Sequence, residues 1–149
     1  GYCLHTSLQH HSQETNHLLK TLQTIASTYQ HEPHRTGDIV HNDFQHSNIL
    51  IHDGQVSGII DWDAPYAGDC VFDTATLLFY AYDNLEVREM LWHAARERAS
   101  LNLLRLYFAH LILRQVDWSL RYHDAATGER YIARGWALLQ EIERRSSKS

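Results

Sequence analysis

The sequence predicts an α+β fold that is mostly helical and carries one small β-hairpin. Apolar residues recur at helical spacing in five segments, and two short apolar runs flank an Asp-Gly pair. The length of 149 residues and the apolar fraction of 44% suit one domain with a sizeable core. We therefore expect residues 1–149 to form a single domain.

Composition and charge exclude several classes of partner. The net charge of −5 provides no basic surface for nucleic acid or for an anionic membrane. Cys3 and Cys70 are too few for a disulfide framework, which favours a reducing cytoplasm. The most apolar segment, residues 101–116, is interrupted by polar side chains and reads as a buried helix rather than a membrane span.

The first third of the chain predicts one helix and one short strand. Residues 12–29 carry an apolar stripe at helical spacing, formed by Leu18, Leu22, Ile25 and Tyr29. Pro33 and Gly37 mark a connector. Ile39 and Val40 then indicate a short strand that enters a loop.

The next segment predicts the hairpin. Residues 48–52 and 55–61 read as strands, joined by Asp53-Gly54. This pair suits a type I′ turn because both central residues need positive φ. Residues 62–69 are predicted to be loop.

The second half predicts four helices. Asp69 is a plausible N-cap for a buried helix over residues 70–82, and residues 85–98 are amphipathic. Residues 100–122 form another long helix, and Thr127 could cap a last one. One face of the last helix is lined by Ile132, Trp136, Leu139 and Ile142.

Counting through the turn predicts where two polar residues lie. In a regular hairpin His52 pairs with Gln55, which places Asn48 opposite Ile59. Asp61, two residues further on, would then share a face with Asn48, at roughly 7–8 Å across the diagonal. An amide oxygen and a carboxylate at that separation can bind one hard cation, and Mg²⁺ suits such ligands.

Asp43 lies five residues before Asn48, on the loop that leads to the same end of the hairpin. The spacing His41-x-Asp43-x4-Asn48, followed by Asp61 after a hairpin, is the layout of a kinase catalytic loop. Phosphoryl transfer depends on positioning and charge neutralisation. We therefore predict Asp43 as the base for an attacking hydroxyl, Asn48 and Asp61 as Mg²⁺ ligands on nucleotide phosphates, and His41 as a brace.

The succession of motifs resembles the aminoglycoside phosphotransferase family, which includes choline kinase-like enzymes. The resemblance covers Ile39 to about Leu78 and rests on the segments HNDF (41–44), GIIDW (58–62), GDC (68–70) and DTA (73–75), together with Asn48. It implies the C-terminal lobe of a protein-kinase-like fold, ATP or sometimes GTP as donor, Mg²⁺, and a hydroxyl of a small molecule as acceptor. Asn42 stands where Gly is commoner in the family, and Thr74 where Leu is.

Two further aspartates have candidate roles. Asp73 is predicted in the first turn of a buried helix, where a carboxylate is costly unless it is hydrogen-bonded. The resemblance implies that Asp73 accepts bonds from the backbone of the catalytic loop and so holds Asp43 in place. For Asp63, a place near the metal or substrate and a loop-capping role both remain open.

The family's N-terminal nucleotide lobe has no counterpart in this sequence. There is no glycine-rich phosphate loop, and Lys20 and Lys148 are the only lysines, neither on a predicted strand. We expect the chain to be a fragment, a separately expressed lobe or a degenerate homologue. We also expect little or no kinase activity from the 149 residues alone.

The acceptor is not readable from the sequence, and two other function classes remain open. Candidate acceptor contacts are Tyr80, Asp83, Trp92, Trp118, Arg121 and Tyr122. One alternative is a non-catalytic binding or scaffold module with a kinase-like lobe. The other is a helical His-Asp metal-dependent phosphohydrolase, suggested by His123-Asp124 together with His93 and His110.

Overall fold

A computed structural model describes residues 3–147 and confirms the mostly helical α+β fold. In chain order the helices are α1 His5–His11, α2 Gln13–Tyr29, α3 Val71–Tyr80, α4 Leu85–Arg96, α5 Leu101–Tyr122 and α6 Ala125–Ser146. The strands are β1 Asp38–Val40, β2 Ile49–His52, β3 Gln55–Ile59 and β4 Tyr66–Gly68. A single 3₁₀ turn, His46–Asn48, precedes β2.

The chain divides into two compact units. A helical unit comprises Gly1–Glu32 and Leu101–Ser149, and a mixed unit comprises Pro33–Ser100. The expectation of a single kinase-like lobe over residues 1–149 stays a prediction. No helix within residues 3–147 is long and apolar enough to cross a membrane.

The helical unit is built around α5, which packs against α1, α2 and α6. The sequence predicts α2, α5 and α6, but α1 was missed because only Leu8 of this short helix is buried. Ser12 forms a capping box with Thr15 at the start of α2. The Thr127 cap is wrong: Asp124 is the N-cap of α6, and its Oδ1 accepts the Thr127 N–H at 2.8 Å.

The mixed unit contains two separate two-stranded sheets and the helices α3 and α4. β1 pairs antiparallel with β4, so part of the predicted 62–69 loop is in fact a strand. β2 pairs antiparallel with β3. α3 is buried along most of its length and packs against α4.

A polar cluster joins the ends of β1 and β4 to the start of α3. Arg35 donates to the carboxylate of Asp38 and to Sγ of Cys70, and the Cys70 N–H donates to Asp38 at 3.1 Å. Asp69 accepts the Val71 N–H at 3.0 Å, so its carboxylate caps the first turn of α3 although Cys70 occupies the N-cap position. The bonds from Cys70 and Arg35 lower the pKa of Asp38 to about 2, chiefly through the Cys70 N–H.

Candidate active site

The hairpin turn is as predicted, but the register of its strands is not regular. Asp53 and Gly54 have φ of 49° and 74°, and His52 pairs with Gln55. Ile51 pairs with Val56 but Leu50 pairs with Gly58, which leaves Ser57 as an extra residue in a β-bulge. The predicted pairing, which assumed a regular hairpin, is therefore wrong by one residue from Leu50 towards Asn48.

The bulge changes how Asn48 and Asp61 come together. Ile59 pairs with Ile49 rather than with Asn48, and the N–H of Ile60 donates to the Asn48 carbonyl at 3.0 Å. Asp61 directly follows Ile60, outside β3, with φ of 66°. The two predicted metal ligands thus lie at the same open end of the hairpin. The backbone hydrogen bond between Ile60 and Asn48 and the left-handed backbone of Asp61 bring them there, rather than the alternation of side chains along a strand.

Asp43 and Asn48 are in direct contact. The Asn48 Nδ2 donates to the backbone carbonyl of Asp43 at 2.9 Å and lies 3.4 Å from its Oδ2. Asn48 is buried and Asp43 is half-buried. Because this nitrogen donates to Asp43, the side-chain oxygen of Asn48 is the atom that can bind a metal ion.

Gln45 also contacts the predicted base, and sequence reasoning gave it no role. Its Nε2 donates to Asp43 Oδ2 at 2.9 Å. Its backbone N–H donates to the Asp43 carbonyl at 2.9 Å, and its own carbonyl accepts the Asn48 N–H at 3.0 Å. A polar side chain two residues after the base was the only sequence signal for it.

His41 connects the loop that carries Asp43 to the segment that carries Asp61. His41 is 2% exposed; its Nδ1 accepts the Asp43 N–H at 3.3 Å, and its Nε2 lies 2.9 Å from the Ile60 carbonyl. The acceptor role of Nδ1 places the ring proton on Nε2, which then donates to Ile60. The imidazole also contacts the Trp62 ring, with centroids 4.4 Å apart.

Asp73 contacts the loop backbone in the way that the resemblance implies. Its two carboxylate oxygens accept the N–H groups of His41 at 2.7 Å and Asn42 at 3.0 Å. Burial raises the pKa of Asp73, and the two N–H donors work against that rise. Asn42 has φ of 74°, so the backbone turns sharply where Asp73 holds it.

The remaining candidate residues belong to both units. Asp63 is exposed, and no hydrogen bond or ion pair of its side chain is found within residues 3–147. Trp92 is 1% exposed and belongs to the core, which removes it from the acceptor contacts. On α5, the rings of Trp118 and Tyr122 lie 4.2 Å apart and are about half exposed, and Arg121 donates to the Tyr122 hydroxyl.

Two acceptor candidates lie in the mixed unit. Tyr80 is half-buried at the end of α3, where its ring contacts His46 edge-on at 6.4 Å. Asp83 is exposed and follows three residues later. Neither residue identifies an acceptor by itself.

The arrangement gives no support to a His-Asp phosphohydrolase. Asp124 is committed to capping α6, and the backbone N–H of Thr127 lowers its pKa. His93 instead pairs with Glu97 on the surface of α4, with Nε2 and Oε1 3.2 Å apart. Within residues 3–147, three metal-type ligands come together only at Asp38, Asp69 and Cys70, where Arg35 already binds.

The donor set at the hairpin fits Mg²⁺. Asn48 presents an amide oxygen, because its nitrogen is turned towards Asp43. Asp61 presents an exposed carboxylate, and no hydrogen bond or ion pair of that carboxylate is found within residues 3–147. Oxygen ligands with one carboxylate, completed by phosphates and water, are what Mg²⁺ prefers.

Comparison with known proteins identifies the family. A family model described as "Phosphotransferase enzyme family" matches residues 5–107. No curated protein matches the chain significantly.

A solved structure shares the fold: a thermostable mutant of aminoglycoside phosphotransferase APH(4)-Ia, in a ternary complex with AMP-PNP and hygromycin B. The match has a TM-score of 0.71 at 20% identity and covers 87% of this chain, which spans 45% of that protein. Because the family model covers more than half of the sequence and this fold agrees with it, the chain belongs to the phosphotransferase enzyme family.

Proposed function

We propose that this chain is the catalytic lobe of an ATP-dependent phosphotransferase that transfers the γ-phosphoryl group to a hydroxyl of a small molecule. One observation carries the proposal. Asn48 contacts Asp43 through its side chain and Ile60, the residue before Asp61, through its backbone. A base and two oxygen ligands are thereby held at one end of the hairpin.

In the proposed reaction Asp43 accepts the proton of the acceptor hydroxyl as the hydroxyl oxygen attacks the γ-phosphorus. The new bond joins the acceptor oxygen to phosphorus, and the bond to the β–γ bridging oxygen breaks. ADP leaves with that electron pair. His41 and Asp73 hold the loop so that the carboxylate of Asp43 is in place before the substrate arrives.

Asn48 and Asp61 would hold Mg²⁺, which supplies charge neutralisation on the nucleotide phosphates when it is bound. Asp61 is suited to this role because its carboxylate is exposed and directed by a left-handed backbone rather than by a strand. Asp63, two residues on, is a candidate for further negative charge near the metal or the substrate.

We expect residues outside these 149 to bind most of the nucleotide. Lys20 lies on α2 and is exposed, and Lys148 lies outside the described residues. The solved relative contains AMP-PNP and hygromycin B and is more than twice as long as the stretch it shares with this chain. ATP or GTP as the donor, an aminoglycoside, choline or similar acceptor, and a cytoplasmic location remain proposals.

The experiment is a screen of acceptor hydroxyl compounds with the protein that contains this chain together with a nucleotide lobe, ATP and Mg²⁺. We expect Asp43→Asn to reduce turnover by about 100-fold or more, because the general base is lost. Asp53→Asn removes the same charge from the exposed hairpin turn and is the matched control. Turnover that survives in Asp43→Asn would show that the base is assigned wrongly, and nucleotide binding without any turnover would favour a scaffold module.

A further inference from the structure

Two amide groups converge on one oxygen of the predicted base. The Gln45 Nε2 lies 2.9 Å from Asp43 Oδ2, and the Asn48 Nδ2 lies 3.4 Å from the same atom. Asn48 makes its shorter bond, 2.9 Å, to the backbone carbonyl of Asp43. Gln45 is therefore the closer donor to this carboxylate.

The other oxygen, Oδ1, has no hydrogen bond within residues 3–147. The terminal torsion of an Asp side chain is soft and roughly two-fold, so an unheld carboxylate samples many orientations. A hydrogen bond to a carboxylate is charge-assisted and stronger than a neutral one. One such bond to Oδ2 fixes the plane of the carboxylate and with it the direction of Oδ1.

We propose that Gln45 is a positioning residue that holds Asp43 through Oδ2, so that Oδ1 receives the proton of the acceptor hydroxyl. This inference rests on the proposed phosphotransferase function. A neutral amide suits the task, because a cation at the same place would pair with the carboxylate and weaken it as a base.

The backbone supports the same conclusion. The Gln45 N–H donates to the Asp43 carbonyl, and the Gln45 carbonyl accepts from the Asn48 N–H. Gln45 is thus anchored on both sides between the base and the predicted metal ligand. These two backbone bonds fix the point from which the Gln45 side chain reaches Asp43.

A first test needs no catalytic activity. In the ¹⁵N spectrum of the chain, the Gln45 side-chain amide protons should lie downfield of a free amide and should return to the free position in Asp43→Ala. Gln30 is the matched control, because its Nε2 donates to the Ser27 carbonyl at the exposed end of α2. An unchanged Gln45 signal in Asp43→Ala would overturn the proposed contact.

The second test is kinetic and uses the complete phosphotransferase. Gln45→Met keeps the length of the side chain and removes the donor, so we expect kcat to fall roughly tenfold to a hundredfold with KM for the nucleotide unchanged. Gln45→Glu should lower kcat at least as far, since two carboxylates then face each other. Gln30→Met should behave like the wild type.

The two proposals fail in different ways. If Asp43→Asn abolishes turnover while Gln45→Met leaves kcat unchanged, the positioning role is wrong and the phosphotransferase function stands. If Asp43→Asn retains turnover, the assigned base is wrong and the role of Gln45 falls with it. If Gln45→Met lowers the melting temperature together with kcat, the role of Gln45 is structural and the inference is overturned.

Discussion

At the scale of single residues, left-handed backbone accounts for an unusual feature of the sequence. Asn42 stands where glycine is commoner in the family, and its φ of 74° explains why few side chains fit there. Asn and Asp tolerate this conformation better than other non-glycine residues. Asp61, with φ of 66°, satisfies the same restriction while it supplies a carboxylate.

Substitutions at Asn42 test whether this position requires a residue that tolerates positive φ. We expect Asn42→Val to lower the free energy of unfolding by about 1–3 kcal/mol, because a β-branched residue is strained at positive φ. Asn42→Gly should keep the stability within about 1 kcal/mol of the wild type. Denaturant unfolding of both variants measures the difference, and equal losses in both would show that the side chain matters rather than φ.

Most of the candidate site was predictable residue by residue, but not its geometry. The spacing from His41 to Asn48 identified the residues that meet, and the contact of Asp73 with the loop followed from the family resemblance. Gln45 was missed because a polar residue in a loop is ordinarily solvated. Its bond to Asp43 depends on a backbone turn that no spacing pattern encodes.

At the scale of elements, the long helices, β1 and the two hairpin strands were predictable, and β4 was not. Helical periodicity over ten or more residues located α2, α3, α4, α5 and α6. β4 has only three residues, and its pairing with β1 spans more than twenty residues of sequence. The bulge at Ser57 was not predicted because a count outward from the turn assumes one residue opposite each partner, and a bulge adds one on one strand.

The β1–β4 junction gives a pH-dependent prediction. The folded pKa of Asp38 is about 2, below its ordinary value near 3.8, so the native carboxylate binds protons less readily than the unfolded one. Asp38 therefore contributes to the free energy of unfolding above about pH 4, and this contribution is lost as pH falls towards 2. We expect Asp38→Asn to flatten the acid side of the stability profile.

Thermal melts between pH 2 and pH 6 measure this effect. Asp53→Asn changes the net charge equally in the hairpin turn and is the control. An acid-side slope in Asp38→Asn as steep as that of the wild type would show that the bonds from Cys70 and Arg35 do not stabilise the fold.

The α5–α6 contact allows a second prediction at this scale. A Cβ on Gly135 would lie 2.7 Å from the Ile112 side chain, which is fully buried. We expect Gly135→Ala to lower stability by about 1–3 kcal/mol through overpacking, despite the better helix propensity of Ala. The double variant with Ile112→Ala should lose less stability than the sum of the two single losses, and strictly additive effects would contradict close packing.

At the scale of the whole molecule, the chain contains only part of the proposed phosphotransferase site. The predicted base and both predicted metal ligands lie between Pro33 and Ser100, while no glycine-rich phosphate loop occurs in the 149 residues. We expect the isolated chain to turn over ATP at or below the background of a coupled ADP assay. The Asp43→Asn chain is the control for contaminating ATPase, and turnover by the wild-type chain well above it would refute the expectation.

The contact between Trp62 and His41 makes the predicted catalytic loop observable by spectroscopy. Trp62 is about half exposed, and its indole N–H donates to the Ile59 carbonyl at 2.8 Å. The other face of this contact is a buried imidazole bonded to the backbone of Asp43. A fluorinated Trp62, assigned by its loss in Trp62→Phe, would therefore report loop rearrangement through its resonance, before any substrate is known.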